Sequence, residues 1–301
     1  MKKSFLTPPP SSLPQIPFEA QVERVLADLP ANLPTEAEKL LISLDIDGTI
    51  LTEDGVTEVV RSRIKRLTDA GAHLFIATGR GLAATEDFLA ELRLPTGWII
   101  ASNGALLLEV GQSGINVSDA VLFDGSEIID QILNHVPDAL IAVERENSRT
   151  LVLAPFPEDE LAGEWEVVPL EVLHTALVTK IIVRMPHLGR EEFNQKMMEL
   201  DLSNYQYSVG WTAWMDVMKK GVTKASRLEE MREKLGISPR GTICVGDGTN
   251  DIPMLQWAHF GVAMGDARAE VQAAAESLTG PVEQDGAGAV LEALIRHLKL
   301  A

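Results

Sequence analysis

Two aspartates stand one residue apart at the end of an apolar run near residue 40. The stretch LLISLDIDGTILTEDG spans Leu40 to Gly55, and the apolar run ends at Asp45 and Asp47. Residues i and i+2 of a strand share a face, so both carboxylates would lie on one side of it. Neighbouring carboxylates repel each other and are costly to desolvate, and a divalent cation would relieve both effects. The stretch therefore predicts either a solvated Asp-Gly turn or a site for a cation such as Mg²⁺.

Two further motifs carry groups suited to binding a phosphate. The motif IATGR, residues 76–80, also ends an apolar strand. Its Thr78 and the backbone amides of Gly79 and Arg80 could donate hydrogen bonds to phosphate oxygens. Lys224 in GVTKASRL could direct an ammonium group at a phosphate or at the nucleophile. The simpler interpretations are a helix N-cap for Thr78 and a solvated surface charge for Lys224.

The fourth motif, CVGDGTNDIPML at residues 244–255, is the most specific of the set. A strand pattern, a helix start and a polar cluster coincide there, and the cluster contains Asp247, Asn250 and Asp251. A turn with Asp251 near an N-cap is the alternative. Open α/β sheets bind ligands beyond the carboxyl ends of their strands. The four motifs together therefore predict one site for a metal ion and a phosphate.

Alternating strand and helix patterns surround these motifs. The strand candidates LLISLDI, HLFIAT and GWIIAS alternate with helical spacing, and the same rhythm resumes near residue 217. This alternation predicts an α/β fold with a doubly wound, Rossmann-like parallel core sheet. Residues 105 to about 212 instead hold several strands around two helices, which is typical of an inserted α+β unit.

The predicted organisation is a catalytic core that is interrupted by a cap. We predict a Pro-rich N-terminal extension at 1–37, a core at 38–105 and 213–301, and a cap domain at 106–212. Residues 1–17 have the composition of a loose tail. Residues 18–29 are predicted to form a short helix that docks on the core.

The composition excludes several classes of protein. The 301 residues carry a net charge of −18, and this field works against binding nucleic acid or an anionic membrane. The single cysteine, Cys244, excludes an intrachain disulfide and a multi-cysteine zinc site. The sequence contains neither the apolar segment of a signal peptide nor a run of about 18 apolar residues. We therefore expect a cytoplasmic protein, and the composition does not separate a monomer from a homodimer.

The four motifs resemble, in the same order, those of the haloacid dehalogenase-like (HAD) hydrolases. DIDGTI, TGR, GVTK and GDGTNDIPML carry the resemblance, which is closest to the Cof-type phosphatase branch. That branch inserts the larger, C2B-type α/β cap between the second and third motifs. SNGA at 102–105 and GVAMGDA at 261–267 are similar to the same branch. The resemblance is strong in the core and weak in the cap.

The resemblance implies a Mg²⁺-dependent phosphatase that forms an aspartyl phosphate. Asp45 would be the nucleophile, and Asp47 would be the general acid and base. The carboxylates of Asp45 and Asp247 and the backbone carbonyl of Asp47 would hold Mg²⁺. An acid at the position of Asp47 is typical of the phosphatases and phosphomutases of this superfamily, so a phosphate monoester is the expected substrate.

The resemblance also implies how the phosphate and the leaving group are held. The phosphate-binding residues would be Thr78, Gly79, Lys224 and Asn250. Asp251 would orient Lys224 or a water bound to the metal. The cap would contact the leaving group of a small phosphorylated metabolite, such as a sugar phosphate or a phosphorylated cofactor. An ordinary surface position is the commoner role for any single residue of the cap, and the candidates for that contact are Glu144, Arg145, Lys180, Arg184 and Trp211.

Two other functions remain open from the sequence. Some relatives with this cap type are phosphomutases, which rebind a bisphosphate and need several arginines in the cap. The arginines of this cap are not obviously clustered: they are Arg145, Arg149, Arg184 and Arg190. The second alternative is a catalytically silent binding protein on the same fold, although every catalytic acid is present here.

Overall fold

A computed structural model describes residues 11–92, 97–111, 114–147 and 149–300. The helices in these residues are α1 (Phe18–Asp28), α2 (Glu58–Asp69), α3 (Leu82–Leu92), α4 (Ser126–His135), α5 (Leu170–Thr175), α6 (Arg190–Met197), α7 (Lys224–Leu235), α8 (Ile252–Trp257), α9 (Ala269–Gln272) and α10 (Gly286–His297). None of them combines the length and the apolar composition that crossing a bilayer requires.

The strands that the same residues form are β1 (Leu41–Leu44), β2 (Leu51–Thr52), β3 (Gly55–Val56), β4 (His73–Ala77), β5 (Gly97–Ala101), β6 (Leu106–Gly111), β7 (Gly114–Ala120), β8 (Phe123–Asp124), β9 (Leu140–Glu144), β10 (Thr150–Val152), β11 (Trp165–Val167), β12 (Leu177–Val178), β13 (Lys180–Arg184), β14 (Tyr205–Val209), β15 (Trp214–Lys219), β16 (Thr242–Gly246), β17 (Phe260–Ala263) and β18 (Ser277–Leu278). They form a large sheet, a smaller second sheet and two short two-stranded ribbons.

The large sheet has the strand order β18-β17-β16-β1-β4-β5-β6-β7 and is parallel from β18 to β5. Side chains alternate between two apolar layers, because successive residues of a strand point to opposite faces. In β1, Ile42 and Leu44 enter the layer with α1, α2 and α10, whereas Leu41 enters the layer with α7 and α8. Both faces are therefore buried, which confirms the predicted doubly wound α/β core.

The second sheet has the strand order β11-β10-β9-β13-β15-β14 and covers the edge of the core where the predicted site lies. One of its faces packs on α4, α5 and α6. Alternation brings Glu144 of β9, Lys180 of β13 and Asp216 of β15 to the opposite face, which lines a cavity between the two sheets. The cap thus turns a polar surface toward the core.

The strand pairing places both ends of the cap differently from the predicted boundaries. The difference is two strands at the N-terminal end and one strand at the C-terminal end. The cap was predicted to span residues 106–212, yet β6 and β7 extend the large sheet as an antiparallel hairpin. At the other end, β15 (Trp214–Lys219) pairs with β13 and β14 in the second sheet. The alternation of β6, β7 and β15 indicates a strand, but only pairing decides which sheet each strand joins.

The described part of the N-terminal extension packs against the core. Helix α1 buries Val22 and Val25 and lies along α10. The backbone amide of Ile16 donates to the Gln284 side chain at 2.8 Å, and the side-chain amide of Gln21 donates to the Gln284 carbonyl at 3.1 Å. The docking of this helix was expected from its sequence, and residues 1–10 lie outside the described part of the chain.

Candidate active site

Three neighbouring strands of the large sheet end at the same edge and carry the first set of candidate residues. Asp45 follows β1, Thr78 follows β4, and Asp247 follows β16. The Asp45 amide extends the ladder by donating to the Val245 carbonyl at 3.0 Å. The chain leaves β1 toward β4 on one side and reaches β16 on the other, so this edge is a topological switch point. Such points are where open α/β sheets bind ligands.

Lys224 joins two of the carboxylates at this edge. It is the first residue of α7, whose N-terminus is held by a capping box between Thr223 and Ser226. Its ammonium group lies 2.5 Å from Asp45 Oδ1 and 2.6 Å from Asp251 Oδ1, and its side chain is fully buried. Burial disfavours the charged lysine, but the two carboxylates outweigh burial, so the pKa of Lys224 is raised.

Three buried carboxylates surround this single ammonium group. Oxygens of Asp45, Asp247 and Asp251 all lie within 4.8 Å of one another. Burial raises the pKa of Asp45 to about 7, and Lys224 offsets that shift only in part. Burial, followed by the charge of Asp45, raises the pKa of Asp247 well above its usual value. Three acids against one base leave excess negative charge, and a cation would neutralise it.

The hydrogen bonds distinguish the roles of Asp247 and Asp251. Asp251 Oδ2 accepts from the backbone amides of Asp247 at 2.9 Å and Gly248 at 2.8 Å, and its Oδ1 accepts from Lys224. Asp247 Oδ1 accepts from Thr49 at 3.1 Å, whereas Asp247 Oδ2 is buried with no hydrogen-bond partner in the described structure. The residues therefore fit a cation. Asp247 Oδ2 is free to bind it, and Asp251 holds Lys224 and the turn at Asp247 in position.

Asp47 points into the cavity and is held by Arg80. Arg80 Nε lies 2.8 Å from Asp47 Oδ2, and Arg80 Nη2 lies 2.6 Å from Asp47 Oδ1, so the pair is bidentate. Gly48, at φ +81°, turns the chain away from the strand directly after Asp47. From the sequence, only the backbone amide of Arg80 was expected to take part in the site. The arginine of TGR was the signal for this contact, but its partner lies 33 residues earlier in the chain.

The predicted phosphate-binding residues divide into two groups by burial. Gly79 and Asn250 line the cavity together with Asp45, Asp47 and Asp247. Thr78 and Lys224 are fully buried beneath the cavity wall. The hydroxyl of Thr78 accepts from the Arg80 amide at 3.1 Å, so in this structure it shapes the TGR turn.

Asn103 connects the core motifs to the cap, a role that was not expected from the sequence. Its Oδ1 accepts from Asn250 at 2.9 Å, and its Nδ2 donates to Asp216 at 3.0 Å. Asn103 adopts φ +55° in the SNGA turn, a left-handed conformation that asparagine tolerates better than most residues. Its position in the SNGA motif was the only feature of the sequence that pointed to this role.

Lys180 is a cap residue that contacts the core at the cavity. Its ammonium group donates to the Gly79 carbonyl at 2.8 Å and lies 3.4 Å from Glu144 and 3.5 Å from Asp216. Burial opposes the charge of Lys180, but the two acids outweigh burial and raise its pKa. Burial also raises the pKa of Glu144, whose Oε2 accepts from Ser102 at 3.2 Å. These contacts tie the cap to the TGR and SNGA turns.

Four of the five cap candidates line the cavity: Glu144, Arg145, Lys180 and Trp211. The exception is Arg184, which forms a bidentate pair with Glu160 at 2.8 and 2.9 Å. The cavity between cap and core has a volume of about 150 Å³.

Comparison with known proteins places this geometry in a family. Residues 42–291 match the family model for haloacid dehalogenase-like hydrolases. The 5-amino-6-(5-phospho-D-ribitylamino)uracil phosphatase YcsE of Bacillus subtilis (strain 168) is 26% identical over 250 residues, covering 82% of this chain and 92% of YcsE. The pyridoxal phosphate phosphatase YbhA of Escherichia coli (strain K12) is 27% identical over 260 residues, covering 80% of this chain and 93% of YbhA.

A solved structure shows the same architecture. BT1666 from Bacteroides thetaiotaomicron, described among phosphatases of the haloalkanoate (HAD) superfamily, aligns with a TM-score of 0.69 and 26% identity. The alignment covers 90% of this chain and 100% of BT1666. These matches confirm the resemblance to the Cof-type branch. With the family model spanning 250 of its 301 residues, this chain belongs to the haloacid dehalogenase-like hydrolases and is a phosphoric monoester hydrolase.

Proposed function

We propose that the protein hydrolyses phosphate monoesters of small metabolites through a phosphate covalently bound to Asp45, with Mg²⁺ as cofactor. The observation that carries this proposal is the pair formed by Asp45 and Asp247. Both are buried at neighbouring strand ends, and Asp247 Oδ2 has no partner in the described structure. A buried carboxylate oxygen of this kind calls for a cation, and phosphoryl transfer to a carboxylate requires one nearby.

In the first step, a carboxylate oxygen of Asp45 attacks phosphorus, and the bond from phosphorus to the leaving oxygen breaks. Lys224 holds Asp45 Oδ1, so Oδ2 is the oxygen free to react. Asp47 gives a proton to the leaving oxygen and releases the alcohol. Because both oxygens of Asp47 accept from Arg80, one of those hydrogen bonds has to open for this proton transfer.

In the second step, water attacks the phosphorus of the aspartyl phosphate. Asp47 takes a proton from that water, and its observed contact with Arg80 suits this step because both carboxylate oxygens are acceptors. The bond between phosphorus and the Asp45 oxygen breaks, which releases inorganic phosphate and regenerates the carboxylate. Arg80 thus orients the same group for both half-reactions.

The remaining residues would hold the metal and the phosphate. The carboxylates of Asp45 and Asp247 and the backbone carbonyl of Asp47 would bind Mg²⁺. When bound, Mg²⁺ supplies the positive charge that lets an anionic carboxylate approach an anionic phosphate. The phosphate oxygens would contact the Gly79 amide and Asn250. Thr78 and Lys224 are buried behind the wall of the cavity and would support the phosphate site from there.

The substrate class that we propose is a sugar phosphate or a phosphorylated cofactor. YcsE and YbhA are named for a phosphorylated ribityl compound and for pyridoxal phosphate, respectively, and both are small phosphate monoesters. The cavity of about 150 Å³ lies between cap and core, so the cap would contact the leaving group. Trp211 and Lys180 of the cap would contact that leaving group.

The decisive experiment measures phosphate release from p-nitrophenyl phosphate and from sugar phosphates with Mg²⁺. EDTA should stop turnover, and Asp45→Asn should remove nearly all of it. Asp54→Asn is the matched control, because Asp54 lies on an exposed turn away from the cavity and should keep wild-type activity. Activity that survives both EDTA and Asp45→Asn would exclude this mechanism, whereas a binding protein would keep its ligand affinity in Asp45→Asn.

A phosphomutase is the second candidate, because Arg145 and Arg190 of the cap both line the cavity. The other two arginines of the cap do not contribute. Arg184 pairs with Glu160, and Arg149 is an exposed residue outside the cavity. A mutase would return phosphate to the substrate, so stoichiometric release of inorganic phosphate distinguishes hydrolysis from transfer.

A further inference from the structure

Asn103 holds its side chain directly behind the turn that would bind the phosphate. It lies in the SNGA turn after β5, is 2% exposed, and donates its backbone N–H to the Thr78 carbonyl at 3.0 Å. A Cβ placed on Gly79 would lie 3.2 Å from Asn103 Oδ1 and 3.4 Å from Asn250 Nδ2, so both side-chain amides pack against the TGR turn. In the described structure Asn250 lines the cavity and Asn103 does not, so an effect of Asn103 on a ligand there passes through a neighbour such as Asn250.

The cap carboxylate of Asp216 decides which way the Asn103 amide points. Asp216 Oδ1 accepts from Trp214 Nε1 at 2.8 Å, and Asp216 Oδ2 accepts from Asn103 Nδ2 at 3.0 Å. Asp216 Oδ2 also forms an ion pair with Lys180 at 3.5 Å. An ionised carboxylate accepts hydrogen bonds and donates none. Asn103 therefore has to present its NH₂ group to the cap, which leaves its side-chain oxygen facing the core.

The same rule fixes the direction of the Asn250 amide. Asn103 Oδ1 is an acceptor, so Asn250 has to face it with its NH₂ group, and Asn250 Nδ2 lies 2.9 Å from that oxygen. This nitrogen carries two hydrogens, and Asn103 uses one of them. The second remains as a donor for a phosphate oxygen in the cavity that Asn250 lines. If the Asn250 amide were turned over, an acceptor oxygen would replace this donor and would repel the phosphate.

We propose that Asn103 is a positioning residue for the phosphate: it transmits the acceptor character of Asp216 to Asn250, so that Asn250 presents an N–H donor to the substrate. This inference rests on the proposed function, which places a phosphate oxygen at Asn250. A chain of two amides has two possible directions, and a carboxylate at one end permits one of them. Because Asp216 belongs to the cap and Asn250 to the core, the direction is set while the cap contacts Asn103.

The test reverses the amide chain and then restores it. In Asp216→Asn, Trp214 Nε1 still needs an acceptor, so the new amide turns its oxygen to Trp214 and its NH₂ group to Asn103. Asn103 then has to turn over, and Asn250 with it. Adding Asn103→Asp restores the original direction, because a carboxylate at position 103 accepts from both neighbouring amides. We expect Asp216→Asn to raise the inhibition constant for inorganic phosphate about tenfold, the effect of one charge-assisted hydrogen bond, and the double variant to return it close to the wild-type value.

The overall charge predicts the opposite sign for each step. Asp216→Asn removes a negative charge near a site for an anion, which by itself tightens phosphate binding, and Asn103→Asp adds a negative charge back. The matched control is Asp138→Asn, because Asp138 is an exposed cap residue that pairs with His187 at 3.1 Å and does not line the cavity. It should keep the wild-type inhibition constant. A constant that falls or stays unchanged in Asp216→Asn, or that Asn103→Asp does not restore, would overturn the inference.

A double-mutant cycle separates positioning from a purely structural role. Asn103→Gly removes the side chain and suits the φ of +55° at this position. It should raise the inhibition constant for phosphate several-fold in the wild-type background and leave it unchanged in Asn250→Ala, where the donor is already missing. Equal factors in both backgrounds would show that Asn103 only supports the fold and would contradict a positioning role.

Thermal shifts separate this inference from the proposed function. If the wild type releases phosphate from p-nitrophenyl phosphate with Mg²⁺ but the inhibition constants do not follow this pattern, only the role of Asn103 is refuted. If the wild type hydrolyses no ester, the rise in melting temperature with inorganic phosphate and Mg²⁺ replaces the inhibition constant. A rise that Asp216→Asn reduces and the double variant restores would then support the role of Asn103 and refute the proposed hydrolysis, whereas no rise at all would refute both.

Discussion

Replacing Lys224 by methionine tests the electrostatics of the site most directly. The substitution keeps a long side chain but removes the ammonium group that lies 2.5 Å from Asp45 and 2.6 Å from Asp251. Both acids and the lysine side chain are buried, so water cannot replace the lost contacts. The two carboxylates then have to stay charged without a cationic partner or take up protons on folding.

The cost of either outcome can be worked from the structure. Breaking a buried ion pair by removing one partner costs about 3–5 kcal/mol. Lys224 is the group that holds the pKa of Asp45 down to about 7 against burial, so its loss raises that pKa further. The folded pKa then lies far above the unfolded one, and the variant loses stability as pH rises toward that folded pKa. Each carboxyl that is forced to stay protonated costs about 1.4 kcal/mol per pH unit above its unfolded pKa.

The assay is urea denaturation of metal-free protein in EDTA at pH 5 and at pH 8. We expect Lys224→Met to be less stable than the wild type by about 3–5 kcal/mol at pH 8 and by clearly less at pH 5. The matched control is Lys234→Met in the same helix. Lys234 pairs with Glu230 at 2.7 Å, but its side chain is 56% exposed, so its loss should cost under about 1 kcal/mol.

Two results would refute this reasoning. A loss below about 1 kcal/mol at pH 8, equal to that of Lys234→Met, would show that Lys224 does not neutralise the buried acids. A large loss of the same size at pH 5 and pH 8 would point to packing, because a cavity or a clash does not depend on protonation.

Three further predictions concern the same site and the cap. Asp247→Asn should abolish the rise in melting temperature on adding Mg²⁺, whereas the wild type should gain about 2.7 kcal/mol at a Mg²⁺ concentration 100 times its Kd. The pKa of Asp45 near 7 lies above its unfolded value, so protonation stabilises the metal-free fold below pH 7 and that stability is lost as pH rises toward 7. Mg²⁺ has to displace this proton, and titrations at pH 5.5 and 8 should show weaker binding at the lower pH; equal affinities would contradict the assignment. Gly81→Ala should raise KM and lower the melting temperature, because its Cβ would lie 2.3 Å from the Glu144 carboxylate of the cap, whereas Gly111→Ala in β6, with open space around it, should do neither.

The fold was largely readable from local patterns. The apolar runs before Asp45 and Asp247 predict buried strands, and both strands lie side by side with β1 in the centre of the sheet. The cap boundaries were less accurate, because β6 and β15 read equally well as strands of either sheet. Their assignment depends on which neighbour supplies the hydrogen bonds, and that neighbour is distant in sequence.

The contacts of the site could be predicted only where one motif carried the signal. Asp251 follows Asp247 by four residues, so a supporting contact between them within GDGTND could be predicted from the sequence. Arg80 and Asn103 bind partners on other elements, Asp47 and Asp216 respectively. No local pattern records those pairings.

The sequence by itself determined which chemical groups stand at the strand ends, because strand alternation and turn chemistry act over a few residues. It thereby determined the family, the α/β core and the set of acids that need a cation. Only the tertiary structure decided that Lys224 is buried between Asp45 and Asp251, and that Lys180 of the cap contacts the Gly79 carbonyl of the core. Charges act through space, so the position of each one relative to the others is set by the packing of distant segments.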